Sequence, residues 1–163
     1  MKTDRRRFAA LVALLGALVC LQIPAANAAD KDPFVGTWLL NSDKSKFVPG
    51  PVPDDRTVIF ETTKDGGLHH LTKTLNAFLG NTNDIDYTAK FDGKDYPITG
   101  TGLDTVSIKR VDARTIERTG KVAGKVSETS TMKISADGKV LTISTKGSYN
   151  GTNYSSEQVL DRQ

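Results

Sequence analysis

Thr131-Met132-Lys133-Ile134-Ser135-Ala136-Asp137-Gly138-Lys139-Val140-Leu141-Thr142-Ile143-Ser144 is two alternating apolar and polar runs on either side of an Asp-Gly turn. Alternation at period two puts Met132, Ile134, Leu141 and Ile143 on one face of a pleated ribbon. A two-residue turn at Asp137-Gly138 sets Ile134 opposite Leu141 and Met132 opposite Ile143, so the register and the apolar pattern agree. Gly, Asn and Asp tolerate the positive φ angles that tight hairpin turns need.

Similar signals recur on both sides: Asp65-Gly66-Gly67, Asp92-Gly93, Asp112-Ala113, Ala123-Gly124 and Asn150-Gly151. The runs between them predict ten strands, at 34–40, 56–63, 68–76, 86–91, 94–99, 104–111, 115–122, 126–135, 140–149 and 154–161. Segments 41–55 and 77–84 read as loops. A turn at Asp92-Gly93 sets Ala89 opposite Tyr96 and Tyr87 opposite Ile98. A three-residue loop at Ala123-Gly124-Lys125, with a bulge, sets Ile116 opposite Met132. Consecutive pairing with no crossover helix predicts an all-β, up-and-down antiparallel barrel, since closure removes the exposed edges of a long meander.

The first 28 residues read as a cleaved signal peptide: Lys2, Arg5, Arg6 and Arg7 precede an apolar run from Phe8 to Leu21, and Ala26-Asn27-Ala28 offers small residues for cleavage. Arg5-Arg6-Arg7-Phe8 leaves both the general secretory and the twin-arginine routes open. Residues 29–163 then form one domain with 18 basic and 18 acidic residues, since four of the 22 basic and one of the 19 acidic ones leave with the signal. That neutral balance gives no argument for nucleic acid, and the exported domain carries no stable membrane span. Cys20, the only cysteine, lies in the signal, leaving the domain without a disulfide or a thiol nucleophile. The expected location is periplasmic or secreted.

Phe34-Val35-Gly36-Thr37-Trp38-Leu39-Leu40-Asn41 resembles the first-strand motif of the calycins, the superfamily of lipocalins and fatty-acid-binding proteins. Asp43-Lys44-Ser45-Lys46-Phe47 and the run Tyr87 to Pro97 are similar to exported bacterial lipocalin-like proteins of undetermined function. The resemblance implies a lipocalin-like barrel holding a small apolar or amphipathic ligand. It also implies that Trp38 closes one end of the barrel and stacks with a basic residue of the last strand, here Arg162.

Alternation assigns an interior face that includes Trp38, Val58, Phe60, Leu71, Leu75 and Tyr87, together with Lys73, Arg110, Arg118, Glu128 and Gln158. A dry core does not bury that many charges without partners, so the mixture predicts a cavity. Arg118 and Arg110 are candidate anchors for an anionic headgroup, because a guanidinium fork suits a carboxylate, with Tyr96 or Tyr154 as hydrogen-bond donors. An internal Arg118–Glu128 pair is the competing reading. His69 and His70 are neighbours on a strand, point to opposite faces and are poorly placed to share a metal, and His69 is assigned inward. Asp84 and Asp86 could form a carboxylate pair. No catalytic constellation, cofactor site or metal site is called from these residues, and the expected function is ligand binding, with an envelope or protein-interaction module as the alternative.

Overall fold

The computed structural model describes residues 32–76 and 81–163. The proposed signal peptide and residues 77–80 of the expected 77–84 loop lie outside them. Eleven strands are described: β1 (Gly36–Leu40), β2 (Lys46–Val48), β3 (Asp55–Thr62), β4 (Leu68–Asn76), β5 (Asn81–Ala89), β6 (Tyr96–Thr99), β7 (Thr105–Asp112), β8 (Thr115–Val122), β9 (Lys125–Ile134), β10 (Val140–Tyr149) and β11 (Thr152–Arg162). Strands β3 to β11 pair in sequence order, and β1 pairs with both β3 and β11, closing a ten-stranded antiparallel barrel. β2 is the extra strand, pairing only with the upper half of β11, above the point where the short β1 ends.

Hairpin chemistry sets the registers. Tyr87 faces Ile98, Ile134 faces Leu141 and Met132 faces Ile143, as the sequence pattern requires. Ile116 also faces Met132, but by a different route from the expected three-residue loop. Val122 pairs with Lys125 across a two-residue turn in which Ala123 and Gly124 have φ of 49° and 74°. The extra residue sits further in, where the register shifts between Gly120 and Lys121, and this bulge returns the apolar residues to the interior.

Three further expectations are corrected. Residues 81–84 belong to β5 rather than to a loop, and segment 41–55 contains a 3₁₀ turn (Ser42–Lys44) and β2. The third concerns β4, whose phase is reversed. Phe60 pairs with His70 and Val58 with Thr72, so these partners share the inner face. Leu68, His70, Thr72 and Thr74 are therefore buried, while Lys73 and Leu75 face solvent and His69 lies on the outer side. A one-residue change of phase flips every side chain of a strand.

The interior is layered. At the end marked by the 62–68 and 134–140 turns, Phe34, Trp38, Phe60, Leu68, Ile108 and Leu141 form a fully buried apolar plug. Above it lies a band of buried polar side chains, comprising His70, Thr72, Thr74, Ser130, Thr145 and Gln158. Among the described residues no helix is long and apolar enough to cross a membrane.

Candidate functional site

At the closed end, Trp38 pairs across the β1–β11 seam with Arg162, whose guanidinium lies 4.1 Å from the indole centroid. Arg162 Nε donates to Gly138 O at 2.7 Å and Nη1 to Val35 O at 2.9 Å, while Nη2 donates to Pro33 O. Trp38 Nε1 donates to Phe34 O at 2.9 Å. One cation thus ties the last strand to the entry segment and to the β9–β10 turn. Gly36 makes room for it: with φ of 141°, a Cβ there would stand 2.9 Å from Arg162 Nη1.

Arg110 belongs to this same end. It pairs with Asp32 and lies over Phe91 at 4.2 Å and Phe34 at 5.5 Å. Tyr96 donates its hydroxyl to Asp92 on the turn beside it. Neither reaches the cavity, and Lys73 faces solvent. Alternation gives a residue's face but not its height along the strand, and height separates Arg110 from Arg118.

At the opposite end a cavity of about 240 Å³ opens beneath β2. Its outer wall is the strap Phe47-Val48-Pro49, with Ile85 across from it. Its floor carries Arg56, Arg118, Glu128, Thr145, Tyr154 and Gln158, with Ser155 and Ser156 on the β11 side. Arg118, Glu128, Tyr154 and Gln158 are thus brought together.

The charges on this floor are unequal in their partners. Arg118 and Glu128 are both nearly buried, with side chains 12% and 11% exposed, and they form an ion pair through Nη2 and Oε1. Arg118 Nη2 also donates to Ser130 Oγ at 3.1 Å, and Tyr154 donates its hydroxyl to Glu128 Oε2 at 2.6 Å. Burial is the largest influence and works against the Arg118 charge, but Glu128, Tyr87 and Tyr154 together outweigh it and hold the pKa above the ordinary value. Burial and the bond to Glu128 push the Tyr154 phenol up, keeping it a donor. Arg118 Nε is buried without a hydrogen-bond partner among the described residues.

Among the described residues no carboxylate pairs with Arg56. Its Nε donates to Thr74 Oγ1 at 3.1 Å and its Nη1 to Gln158 Oε1 at 2.7 Å, and Phe47 lies 5.3 Å from the guanidinium carbon. Burial lowers its pKa to about 10, yet it remains a cation at neutral pH. The two arginines and one glutamate leave the cavity wall with one surplus positive charge. Sequence reading passed over Arg56, although it stands two residues before Val58 on the same face.

Beneath Arg118, Tyr87 and His70 continue the polar band. His70 Nδ1 lies 2.8 Å from the Tyr87 hydroxyl and Nε2 lies 2.7 Å from Thr72 Oγ1. Burial, reinforced by Arg118, His69 and Arg56, holds the His70 pKa well below the ordinary imidazole range. Burial likewise raises the Tyr87 phenol to about 12. Outside the barrel, His69 bridges Glu61 at 3.2 Å and Asp86 at 3.1 Å, using a different ring nitrogen for each. Among the described residues no group of three or more His, Cys, Asp or Glu is placed to hold a metal ion.

No protein-family model matches this chain, and no curated protein matches it.

Proposed function

We propose that the protein is an exported, calycin-like binding protein that takes a small anion with a partly apolar body into the cavity beneath β2. The observation that carries this reading is Arg56, a largely buried guanidinium with only neutral hydrogen-bond partners. Among the described residues that line the cavity the only carboxylate is Glu128, and it is already occupied by Arg118 and Tyr154. A buried charge without a counter-ion costs several kcal/mol in general, and a carboxylate arriving with the ligand offsets that cost. The closed barrel and the Trp38–Arg162 stack support the calycin-like part of the reading, and the features of residues 1–28 support export.

Calorimetric titration of the purified protein with small carboxylates (propionate, benzoate, gluconate and octanoate) tests it. Saturable binding of at least one acid, lost in Arg56→Gln, is expected. Absence of binding by every acid contradicts the reading. Trp38 is a poor reporter, because it is buried at the end away from the cavity. A filled interaction module is the second reading, favoured by the dense apolar plug and by exposed Val122, Val126 and Tyr149 on the hairpin ends at the cavity side.

A further inference from the structure

Within that binding reading, we infer that the ligand is a compact hydroxylated carboxylate of monosaccharide-acid size, seated with its polar side on the barrel floor and its carbon skeleton beneath Phe47. The distribution of wall chemistry carries this. The strap Phe47, Val48 and Pro49 and, across from it, Ile85 give the cavity its apolar surface, while the floor between them carries Arg56 of β3 and the hydroxyl, amide and charged groups of β8 to β11.

An alkyl chain laid across that floor covers hydrogen-bonding groups and gives them nothing in return, and unmet polar groups are penalised on burial. A chain bearing hydroxyls replaces the bonds. Ser156 Oγ accepts from Gln158 Nε2 at 3.3 Å and retains its own proton to donate. Thr145 Oγ1 lies 3.0 Å from Ser130 Oγ and keeps capacity for a further bond. Arg56 holds the carboxylate, where a guanidinium fork can present two parallel donors.

Size agrees with this chemistry. A volume of about 240 Å³ falls below the roughly 300–1,000 Å³ of pockets for drug-sized ligands. Directly beneath lie buried Tyr87 and His70 and then the apolar plug, so a long chain finds no channel to descend.

Matched probes decide the point by calorimetry. D-glucuronate and D-gluconate carry both carboxylate and hydroxyls, cyclohexanecarboxylate and octanoate carry the carboxylate alone, and D-glucose carries hydroxyls alone. At least one hydroxylated acid is expected to bind ten-fold or more tightly than both plain acids, with D-glucose weaker still. Arg56→Gln should weaken it at least ten-fold and Ser156→Ala about three-fold, with Arg56→Lys intermediate, and circular dichroism melts confirm that each variant is folded. If cyclohexanecarboxylate or octanoate binds as tightly as the hydroxylated acids, this inference is overturned while the anion-binding reading stands. If no acid binds, the binding reading fails and takes the inference with it.

Discussion

The two ends of the barrel each hold two inward arginines and use them in opposite ways. Arg162 spends its donors on three backbone carbonyls and its face on Trp38, and Arg110 is paired with Asp32 between two phenylalanine rings. At the cavity end, Arg118 is matched by Glu128, but among the described residues Arg56 bonds only to a threonine and a glutamine. A cation whose partners are all internal contributes to the fold. A buried cation lacking its counter-charge is disposed to bind one.

The largest expected effect sharpens that contrast. Arg118→Met strands Glu128 in the wall and should cost about 3–5 kcal/mol in urea unfolding, as the removal of one member of a buried pair generally does. Adding Glu128→Leu should restore most of it. Arg162→Ala should cost about 2–4 kcal/mol through the lost stack and the stranded carbonyls. No second side-chain change rescues this variant, because its partners are backbone. Full rescue of Arg162→Ala by any single replacement would break the distinction.

The histidines give a pH test. His70 is held below its unfolded value, so below about pH 6.5 the unfolded chain binds more protons and stability falls as the pH falls. For His69, burial lowers the pKa but the bonds to Glu61 and Asp86 outweigh it and raise it overall. Its contribution is present below about pH 6.5 and is lost as the pH rises through the raised value. Between pH 7 and 5 the wild type should lose stability with a His70 slope of up to about 1.4 kcal/mol per pH unit. Melts across that range should flatten in His70→Gln and steepen in His69→Gln. The opposite ordering would mean that the inner and outer faces of β4 are reversed.

The fold was legible because its signals were local. Asp-Gly and Asn-Gly turns, alternation and matched apolar registers give the hairpins, and closure follows from the number of strands. β4 was not legible, because it inverts the usual rule by burying His70, Thr72 and Thr74 and exposing Leu75. A polar strand face is chosen by its partners across the ladder, and no window within β4 contains that information. The site was half legible. Arg118, Glu128, Tyr154 and Gln158 share the cavity, but Arg110 and Tyr96 share only the inward or turn-side placement and lie elsewhere. β2 escaped detection because three residues in a proline-containing loop have no period to read, yet Phe47 forms the outer wall.

The smallest expected stability effect is also the most telling. Arg56→Gln relieves the cost of a buried charge but gives up its bonds to Thr74 and Gln158, and because the two effects oppose each other the unliganded variant should stay within about 1 kcal/mol of wild type. The direct measurement is thermal unfolding of wild type and Arg56→Gln with and without D-gluconate or D-glucuronate. The account predicts similar melting without ligand and a ligand-dependent rise in wild type alone. A variant that melts far below wild type, or one that responds to ligand as wild type does, would place Arg56 with Arg162 among the structural cations and contradict the account.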